Sequence, residues 1–271
     1  MLFCIPIGLI FVFFDGTPSD LIVSQNVLII SAFAGITTSV FIVSWLLAVK
    51  KSAYTALDAF VSLGLLVPII FSSAFYSERI TLSQILGLIL LLIAVTLMSF
   101  YNNQIKDKLS ASSIILLLIV GLSNGLTDFS YKIFKYSKDS TPASVFNLYI
   151  YLFSAITLLA VFLYFHFRHV KDCKDTDAKT ESETADTPLL DRKKSVYIAI
   201  MAIFLFCNSY FKTLAASRLS AIQIYPLAQG GAMLLTLMMS AVFFKEKIKP
   251  LCIAGLIVLF ISLLFINVIV F

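Results

Sequence analysis

Four ionisable residues lie inside long apolar runs of the sequence, where a charge is expensive. Asp58 is near the start of one run, Asp128 and Lys132 are near the end of a second, and Lys212 is near the end of a third. A charged side chain at the centre of a membrane span costs roughly 2.5–3.5 kcal/mol on insertion scales, so these residues are candidates for binding a proton or a charged solute. Asp58 is the strongest candidate. The alternative for Asp58 is a hydrated position at the interface beside Lys50.

The other three ionisable residues have structural interpretations that compete with a binding role. Asp128 and Lys132 are one helical turn apart, so they can neutralise each other on one helix face. Lys212 can extend its ammonium towards the interface while its carbon stem stays in apolar surroundings. The sequence favours these structural interpretations for all three residues.

Neutral polar residues can bind a solute at a lower cost than charged ones. Asn124, Asn208, Tyr225 and Gln229 fall in three of the apolar runs. Pro226 lacks an N–H and two glycines follow Gln229, so this stretch predicts a broken helix whose backbone groups face a cavity. Helix packing through small residues is the alternative. We predict that the substrate-binding set comprises Asp58, Asn124, Asn208, Tyr225 and Gln229.

The sequence does not indicate an enzyme, because it contains no Ser-His-Asp set, phosphate-binding loop or paired intramembrane catalytic motif. The i, i+3, i+7 spacing of His166, His169 and Cys173 is compatible with a metal on one helix face. A complete site needs more ligands, however, and a polar segment begins at this point. The four cysteines form no CxxC pair and indicate neither zinc nor a disulfide framework. We predict no metal and no cofactor.

The composition places these residues in a membrane. Of the 271 residues, 60% are hydrophobic and 13% are charged, and the mean hydropathy is +0.99. A soluble domain is about half apolar and a quarter charged. Basic residues lie at the ends of the apolar runs, which does not suggest nucleic-acid binding. Eight runs approach the ~20 residues that a span needs, and a ninth, Met1–Phe14, is shorter. The eight are Val27–Val49, Ala53–Tyr76, Ile80–Phe100, Ile114–Phe134, Ala143–Phe167, Val196–Ala216, Ala221–Phe244 and Pro250–Phe271.

One connection differs from the short turns that join most of the runs. Residues 170–194 are polar, mixed in charge and poor in aromatic side chains. This is the composition of a disordered linker. We interpret the segment as a passive tether, and regulation through its Ser and Thr residues is the alternative.

The chain repeats itself at an offset of 168 residues. Glu78 falls on Glu246 and Gly87 falls on Gly255, and no gap is needed between the two matches. Five predicted spans separate the two glutamates, which places them on opposite sides of the membrane and makes the repeat inverted. Inverted repeats are typical of transporters, because two related halves support states that open to either side.

The segment from Phe75 to Gly87 resembles the signature of EamA-type members of the drug/metabolite transporter superfamily. Those proteins carry a helix proline, then a short turn with a Glu, a Gln and a helix Gly. The matching residues are Pro68, Glu78, Gln84 and Gly87 in the first half, and Pro226, Glu246 and Gly255 in the second, where Cys252 replaces the Gln. The resemblance covers nearly the whole chain.

The resemblance implies a fold of ten helices in two inverted halves around a central solute cavity. The first half shows four spans, so we expect an all-α integral membrane protein of about nine transmembrane helices, with the first helix of the family fold missing. The expected domains are a first EamA-type repeat over 1–104 and a second over 112–271, with the polar linker at 170–194. Glu78 and Glu246 are expected to cap the helix that follows each. Pro68, Gly87, Pro226 and Gly255 are expected to be structural.

The expected function is transport of a small metabolite, amino acid or drug-like solute by alternating access. A non-transporting membrane subunit or scaffold that acts through the linker is the alternative. Asn124 stands eight residues before Lys132, where the small multidrug-resistance branch carries an acid, so proton-coupled antiport of cationic drugs lacks its usual carboxylate. The expected partners are a small-molecule solute and the lipid bilayer of the cell membrane, with no nucleic acid. A homodimer is compatible with the sequence, which leaves the membrane orientation open.

Overall fold

The computed structural model describes residues 1–50, 54–101, 111–137, 139–174, 192–243 and 250–267. Within these ranges the chain forms ten α-helices and one short 3-10 helix, Pro18–Leu21, and no strand. The helices are α1 Cys4–Asp15, α2 Gln25–Lys50, α3 Tyr54–Leu63, α4 Leu66–Tyr76, α5 Leu82–Tyr101, α6 Ala111–Tyr136, α7 Ala143–Lys174, α8 Arg192–Arg218, α9 Ala221–Phe243 and α10 Pro250–Asn267. The all-α fold class predicted from the sequence is confirmed.

The helices follow the apolar runs of the sequence. Four stretches are long and apolar enough to cross a membrane by length and composition: Gln25–Lys50, Ser112–Tyr136, Ala143–Phe167 and Ser195–Arg218. Shorter apolar helices cover Cys4–Asp15, Phe60–Tyr76, Leu82–Leu97 and Ile253–Asn267. Many of the exposed side chains on these helices are large and hydrophobic. Large apolar side chains at the surface of a helix are compatible with lipid. The helical conformation also satisfies the backbone polar groups, which find no water in the bilayer core.

The predicted span Ala53–Tyr76 is broken in its middle. α3 ends at Leu63 and α4 begins at Leu66. Pro68 explains the break, because it has no N–H to donate to the carbonyl of Gly64 and its ring crowds that carbonyl. The N–H of Val67 donates to the Gly64 carbonyl instead, at 3.1 Å. The break therefore lies one turn before the proline.

The break that the sequence predicted at Tyr225–Pro226 does not occur. α9 runs through Pro226 from Ala221 to Phe243, and Pro226 is buried. Because Pro226 is in the second turn of α9, its missing N–H affects only the carbonyl of Ile222. The backbone hydrogen bonds before and after Pro226 keep α9 continuous.

The turn before α5 also differs from its prediction. Ser77 ends α4 in the left-handed conformation, with a φ of 52°. The N–H of Thr81 then donates to Oε1 of Gln84 at 3.0 Å, and the N–H of Gln84 donates to Oγ1 of Thr81 at 3.4 Å. This reciprocal pair is a capping box. Thr81, and not Glu78, therefore caps α5. Glu246 lies outside the described residues, so its predicted cap stays a prediction.

The polar linker is shorter than the segment 170–194. α7 continues to Lys174 and α8 begins at Arg192. Both ends of the predicted linker are therefore helical, since its Lys and Asp residues extend helices that the apolar runs have already started. Residues 175–191 lie outside the described part of the chain.

The chain forms two compact units, and each takes segments from both predicted repeats. The first comprises Met1–Ser39 and Ser140–Phe211, and the second comprises Val40–Asp139 and Lys212–Phe271. The division into repeats at 1–104 and 112–271 concerns the sequence and stays a prediction.

In the first unit, α1 packs on α7. Gly8 lies so close to Leu148 and Phe206 that a Cβ at this position would approach both within 2.9 Å. Buried polar pairs join the helices as well: Oγ of Ser209 donates to Oδ1 of Asn147 at 2.6 Å. This unit is held together by close apolar packing and a few satisfied hydrogen bonds.

In the second unit, the α3–α4 break packs directly on the backbone of α6. A Cβ on Gly64 would clash with the carbonyl oxygen of Gly121, and a Cβ on Gly125 would clash with the carbonyl oxygen of Gly64. Gly121 and Gly125 have the four-residue spacing that lets membrane helices approach closely. Gly87 plays a similar part between α5 and α10, where its carbonyl accepts Oγ of Ser262 at 2.7 Å. The contacts of Gly64 with Gly121 and Gly125 fix the position of α6, which carries the candidate site.

Candidate functional site

Two ion pairs begin on α6, one helical turn apart. The sequence suggested that Asp128 and Lys132 neutralise each other, and this is wrong. Lys132 pairs with Glu78 at 2.8 Å, and Asp128 pairs with Lys212 at 3.0 Å. Side chains one turn apart on a helix gain only about 0.2–0.5 kcal/mol from each other, so partners from other elements replace that local contact.

The Glu78–Lys132 pair is fully buried on the lysine side, where the side chain has 0% of its surface exposed. Oε1 of Glu78 accepts hydrogen bonds from Nζ of Lys132 and from the Tyr136 hydroxyl, the latter at 3.0 Å. Oε2 accepts the N–H of Ala221 at 2.7 Å. Nζ of Lys132 also donates to the carbonyl oxygen of Leu219 at 2.6 Å. Both carboxylate oxygens are therefore bonded, and the ammonium donates two hydrogen bonds.

These bonds fasten the turn between α8 and α9. Ala221 is the first residue of α9, so the Glu78 carboxylate lies at the positive end of that helix, and Leu219 directly follows α8, so the Lys132 ammonium lies at its negative end. Each charge meets the helix end of opposite sign. Glu78 thus acts as a helix cap, on α9 across the unit and not on the helix that follows it.

The surroundings of Glu78 lower the pKa of its carboxyl. Burial alone would raise this pKa, since a charge loses hydration there. The hydrogen bonds from Lys132 and from the Ala221 N–H, together with the Lys132 charge and the Tyr136 hydroxyl, outweigh burial and hold the pKa below its ordinary value of 4.5. The carboxylate form is therefore the one that this cluster stabilises.

The Asp128–Lys212 pair is less enclosed. The Asp128 side chain is 4% exposed, while 24% of the Lys212 side chain is exposed. Nζ of Lys212 donates to Oδ1 of Asp128. Tyr225 is fully buried, and its hydroxyl donates to the main-chain oxygen of Asp128 at 2.5 Å. This hydrogen bond does not involve the Asp128 carboxylate.

Gln229 lies one turn beyond Tyr225 on α9. Its Nε2 donates to Oγ of Ser62 on α3 at 3.1 Å, two residues before the helix break. Tyr225 and Gln229 therefore connect one face of α9 to α6 and to α3. Of the five predicted substrate-binding residues, these two form side-chain hydrogen bonds to other helices of the second unit.

Of the other three predicted binding residues, only Asn124 lies on the same helix as Asp128, which Tyr225 contacts. Asn124 is half-buried on α6, one turn before Asp128. Asn208 is exposed on α8 in the first unit. Asp58 lies on α3, and its side chain is outside the described part of the structure.

The described residues contain no group of three or more His, Cys, Asp or Glu side chains that could hold a metal ion. The helix that the His166, His169 and Cys173 spacing required does form, because α7 continues to Lys174. His166 stacks on Phe162, with 6.1 Å between the ring centroids. The side chains of His169 and Cys173 lie outside the described part.

Sequence reasoning missed both ion pairs because their members are 54 and 84 residues apart in the chain. One signal was available. Two lysines in apolar runs, Lys132 and Lys212, face only one acid of α6, Asp128. A second acid therefore had to come from another element, and Glu78, in the turn that follows the neighbouring span, is one such acid.

Comparison with known proteins places this architecture. A family model described as the EamA-like transporter family matches residues 1–100 and 111–268. The search of the curated proteins gives no match. One similar solved structure, titled only "Crystal structure of protein", has a TM-score of 0.71 at 13% identity and covers 98% of this chain and 84% of that chain. At that identity the likeness concerns the fold. The match over nearly the whole chain shows that the protein belongs to the EamA-like transporter family, and so is a multi-pass membrane transporter of the drug/metabolite type.

Proposed function

We propose that the protein moves a small metabolite, amino acid or drug-like solute across the bilayer by alternating access, and that the Asp128–Lys212 pair takes part in binding that solute. The observation that carries the proposal is the state of this pair. It lies between helices of a membrane protein, and a quarter of the Lys212 side chain is exposed. Ionisable residues in such positions usually mark a solute or ion pathway.

Tyr225, Gln229 and Asn124 support the same location. Tyr225 holds the main chain at Asp128, Gln229 follows one turn later, and Asn124 precedes Asp128 by one turn. A few convergent polar groups in an otherwise apolar setting are typical of small-molecule sites. Asp58 and Asn208 remain predicted members of the binding set.

Alternating access is supported by the internal repeat. Two related sequences at an offset of 168 residues, inverted in the membrane, give a chain two nearly equivalent ways to arrange the same contacts. The break between α3 and α4 adds a discontinuous helix, a feature that transporters use to expose backbone groups to a solute.

Counterflow in liposomes tests this proposal. Purified protein is reconstituted into vesicles loaded with a broad mixture of unlabelled metabolites, and uptake of the same mixture in isotope-labelled form is followed by mass spectrometry. A carrier that alternates between two sides accumulates one or more labelled solutes transiently above equilibrium. The double variant Asp128→Asn with Lys212→Gln, which stays neutral overall, is expected to lose this accumulation.

A folded protein that produces no accumulation of any solute would overturn the proposal and favour a non-transporting subunit or scaffold. Equal rates in the wild type and the double variant would show that the pair does not bind the solute. Heat-denatured protein in the same vesicles controls for passive leakage.

A further inference from the structure

Three basic residues lie next to the members of the Glu78–Lys132 pair, at one end of the second unit. Arg79 follows Glu78 in the turn after α4, Lys135 is in the last turn of α6, and Arg218 is the last residue of α8. The hydrogen bonds of the pair bring these positions together, because they join the Glu78 carboxylate to the end of α6 and the Lys132 ammonium to the end of α8. We call Arg79, Lys135 and Arg218 the basic rim.

The protein does not neutralise the basic rim within the part of the chain that the structure describes. There, no ion pair or hydrogen bond joins any of its three charged groups to a carboxylate. The nearest acid, Glu78, already has both oxygens bonded. The side chains of Arg79 and Arg218 are exposed, and that of Lys135 is half-buried. Their positions near the negative ends of helices offset only part of the charge, so the N–H donors of the rim are available to an anion.

Aromatic side chains adjoin the basic rim. Tyr136 stacks on Tyr76 with 3.9 Å between the ring centroids, and Nζ of Lys135 lies 5.0 Å from the centre of the Tyr136 ring. Phe75 is 71% exposed and contacts Phe71, one turn earlier on α4, with 5.9 Å between the centroids. Tyrosines at the ends of membrane helices are typical of the interface between headgroups and acyl chains. An exposed apolar surface on α4 therefore begins directly beside a group of positive charges.

We propose that this end of the second unit is a binding site for an anionic phospholipid of the surrounding bilayer. The phosphate of the lipid contacts the basic rim, and one acyl chain lies along Phe75 and Phe71. Basic residues grouped between the ends of membrane helices bind anionic headgroups, and an arginine can donate two parallel hydrogen bonds to one phosphate. The inference concerns a lipid and not the transported solute, so it does not rest on the proposed transport mechanism.

The charge of the headgroup decides which lipids fit. A phosphatidylcholine headgroup carries a quaternary ammonium beside its phosphate, and this cation is repelled by the basic rim and finds no available carboxylate at Glu78. A phosphatidylglycerol headgroup brings the same phosphate without that cation. The site is therefore expected to select the anionic lipid by the repulsion that it imposes on the zwitterionic one.

Native mass spectrometry of the delipidated full-length protein tests this selection. The protein in detergent is titrated with dioleoyl phosphatidylglycerol or with dioleoyl phosphatidylcholine, which have identical acyl chains. We expect phosphatidylglycerol to bind about tenfold more tightly or better, because several basic residues contact its phosphate. Inorganic phosphate at the same concentration should not displace it, since the free ion makes no contact with the exposed phenylalanines.

Neutral variants of the basic rim locate the site. Arg79→Gln, Lys135→Gln and Arg218→Gln are each expected to weaken phosphatidylglycerol binding about fivefold and to leave phosphatidylcholine binding unchanged. Lys50→Gln is the matched control, because it removes one exposed positive charge from the end of another helix, α2, and should change neither affinity. Phe75→Ala should weaken both lipids to the same extent, since it removes an apolar contact and no charge.

The comparison of the two lipids on the wild type needs no variant, so the inference can fail even if a variant does not fold. Equal affinities for phosphatidylglycerol and phosphatidylcholine would overturn it. Displacement of phosphatidylglycerol by inorganic phosphate would show an anion site without a lipid and would also overturn it. If Lys50→Gln weakened phosphatidylglycerol binding as much as the three rim variants do, the attraction would belong to the net charge of the protein and the site would be wrong.

Discussion

The two ion pairs of α6 each join a lysine to a carboxylate, but they differ in how many other hydrogen bonds the protein supplies to them. In the Glu78–Lys132 pair both carboxylate oxygens are bonded, the lysine also caps a carbonyl, and no part of the lysine side chain is exposed. In the Asp128–Lys212 pair the described residues supply one hydrogen bond, and a quarter of the lysine side chain is exposed. The presence of a charged residue in an apolar span therefore does not show whether that residue is structural or binds a solute. Its role follows from how far the protein has already satisfied it.

The two pairs also differ in what they join. Glu78 lies at the positive N-terminal end of α9, and Lys132 lies at the negative C-terminal end of α8. Asp128 and Lys212 join two helix side chains and no helix end. The first pair is part of the frame of the second unit, and the second pair has only its own attraction to keep it closed.

The largest expected effect is loss of stability on breaking the complete pair. Lys132→Met leaves the Glu78 carboxylate enclosed without its partner, which typically costs about 3–5 kcal/mol. Trp45, the single tryptophan of the chain, packs on the core cluster of Ala48, Leu57 and Leu117 in the second unit, so its fluorescence follows unfolding there. Denaturant titration in detergent micelles gives the free energy of unfolding.

Lys212→Met is the matched variant at the open pair. Its cost is expected to be smaller, about 1–3 kcal/mol, because a quarter of the Lys212 side chain is exposed, so that water can replace the ammonium at Asp128, and because no helix end loses a charge. The double variant Glu78→Gln with Lys132→Met removes both charges of the complete pair and should recover part of the loss. Equal destabilisation by the two lysine variants would erase the distinction between the pairs.

A second effect concerns α6, on which both pairs depend. Gly64→Ala forces a Cβ into the carbonyl oxygen of Gly121, and overpacking of this kind costs about 1–3 kcal/mol. Gly231→Ala is the control, since nothing lies within 4 Å of a Cβ at that position. The same Trp45 fluorescence measures both variants. A neutral Gly64→Ala would mean that the α3–α4 break does not hold α6 in place.

Much of this fold follows from the sequence, and the reason is the solvent. In lipid a long apolar run has to satisfy its own backbone, so the helices fall where hydropathy places them. The break at Gly64 was not foreseen, because Pro68 and Pro226 look alike in the sequence. Pro68 follows several turns of helix and crowds a carbonyl, whereas Pro226 lies in the second turn of α9.

The candidate site was less predictable than the helices. Periodicity along one helix brings Asp128 next to Lys132, but a local pair is worth little, and tertiary neighbours far apart in the chain decide the partners. The sequence identified Tyr225 and Gln229 as polar residues of a single span. It carried no information on the Asp128 and Ser62 atoms that receive their hydrogen bonds.

A third, smaller effect separates the two tyrosines that contact the pairs. Tyr136→Phe removes one of three hydrogen bonds to the Glu78 carboxylate, and Tyr225→Phe removes the bond to the Asp128 carbonyl oxygen. Each loss should cost about 0.5–1.5 kcal/mol of stability. Only Tyr225→Phe is expected to raise the KM for the transported solute. If Tyr136→Phe changed the KM as much, the site would extend to the complete pair.

The smallest expected effect is on the pH dependence of stability. The pKa of Glu78 in the folded protein is lower than its ordinary value of 4.5. The folded state therefore protonates Glu78 only at a lower pH than the unfolded state does. The stability that Glu78 contributes is fully present above pH 4.5 and is lost as the pH falls through the folded pKa. The free energy of unfolding of Glu78→Gln should depend less on pH below 4.5 than that of the wild type. Identical slopes would contradict the role of this carboxylate.

Selective acylation of lysines tests the difference between the two pairs most directly. The folded protein is treated briefly with a water-soluble amine-reactive acetyl ester, and the modified lysines are quantified by peptide mass spectrometry, with the exposed Lys50 as the fast reference. Lys212 should react measurably and be protected by the metabolite mixture used for counterflow, while Lys132 should stay unmodified until the protein unfolds. Modification of Lys132 as fast as that of Lys212, with no protection of either by the solutes, would contradict the account.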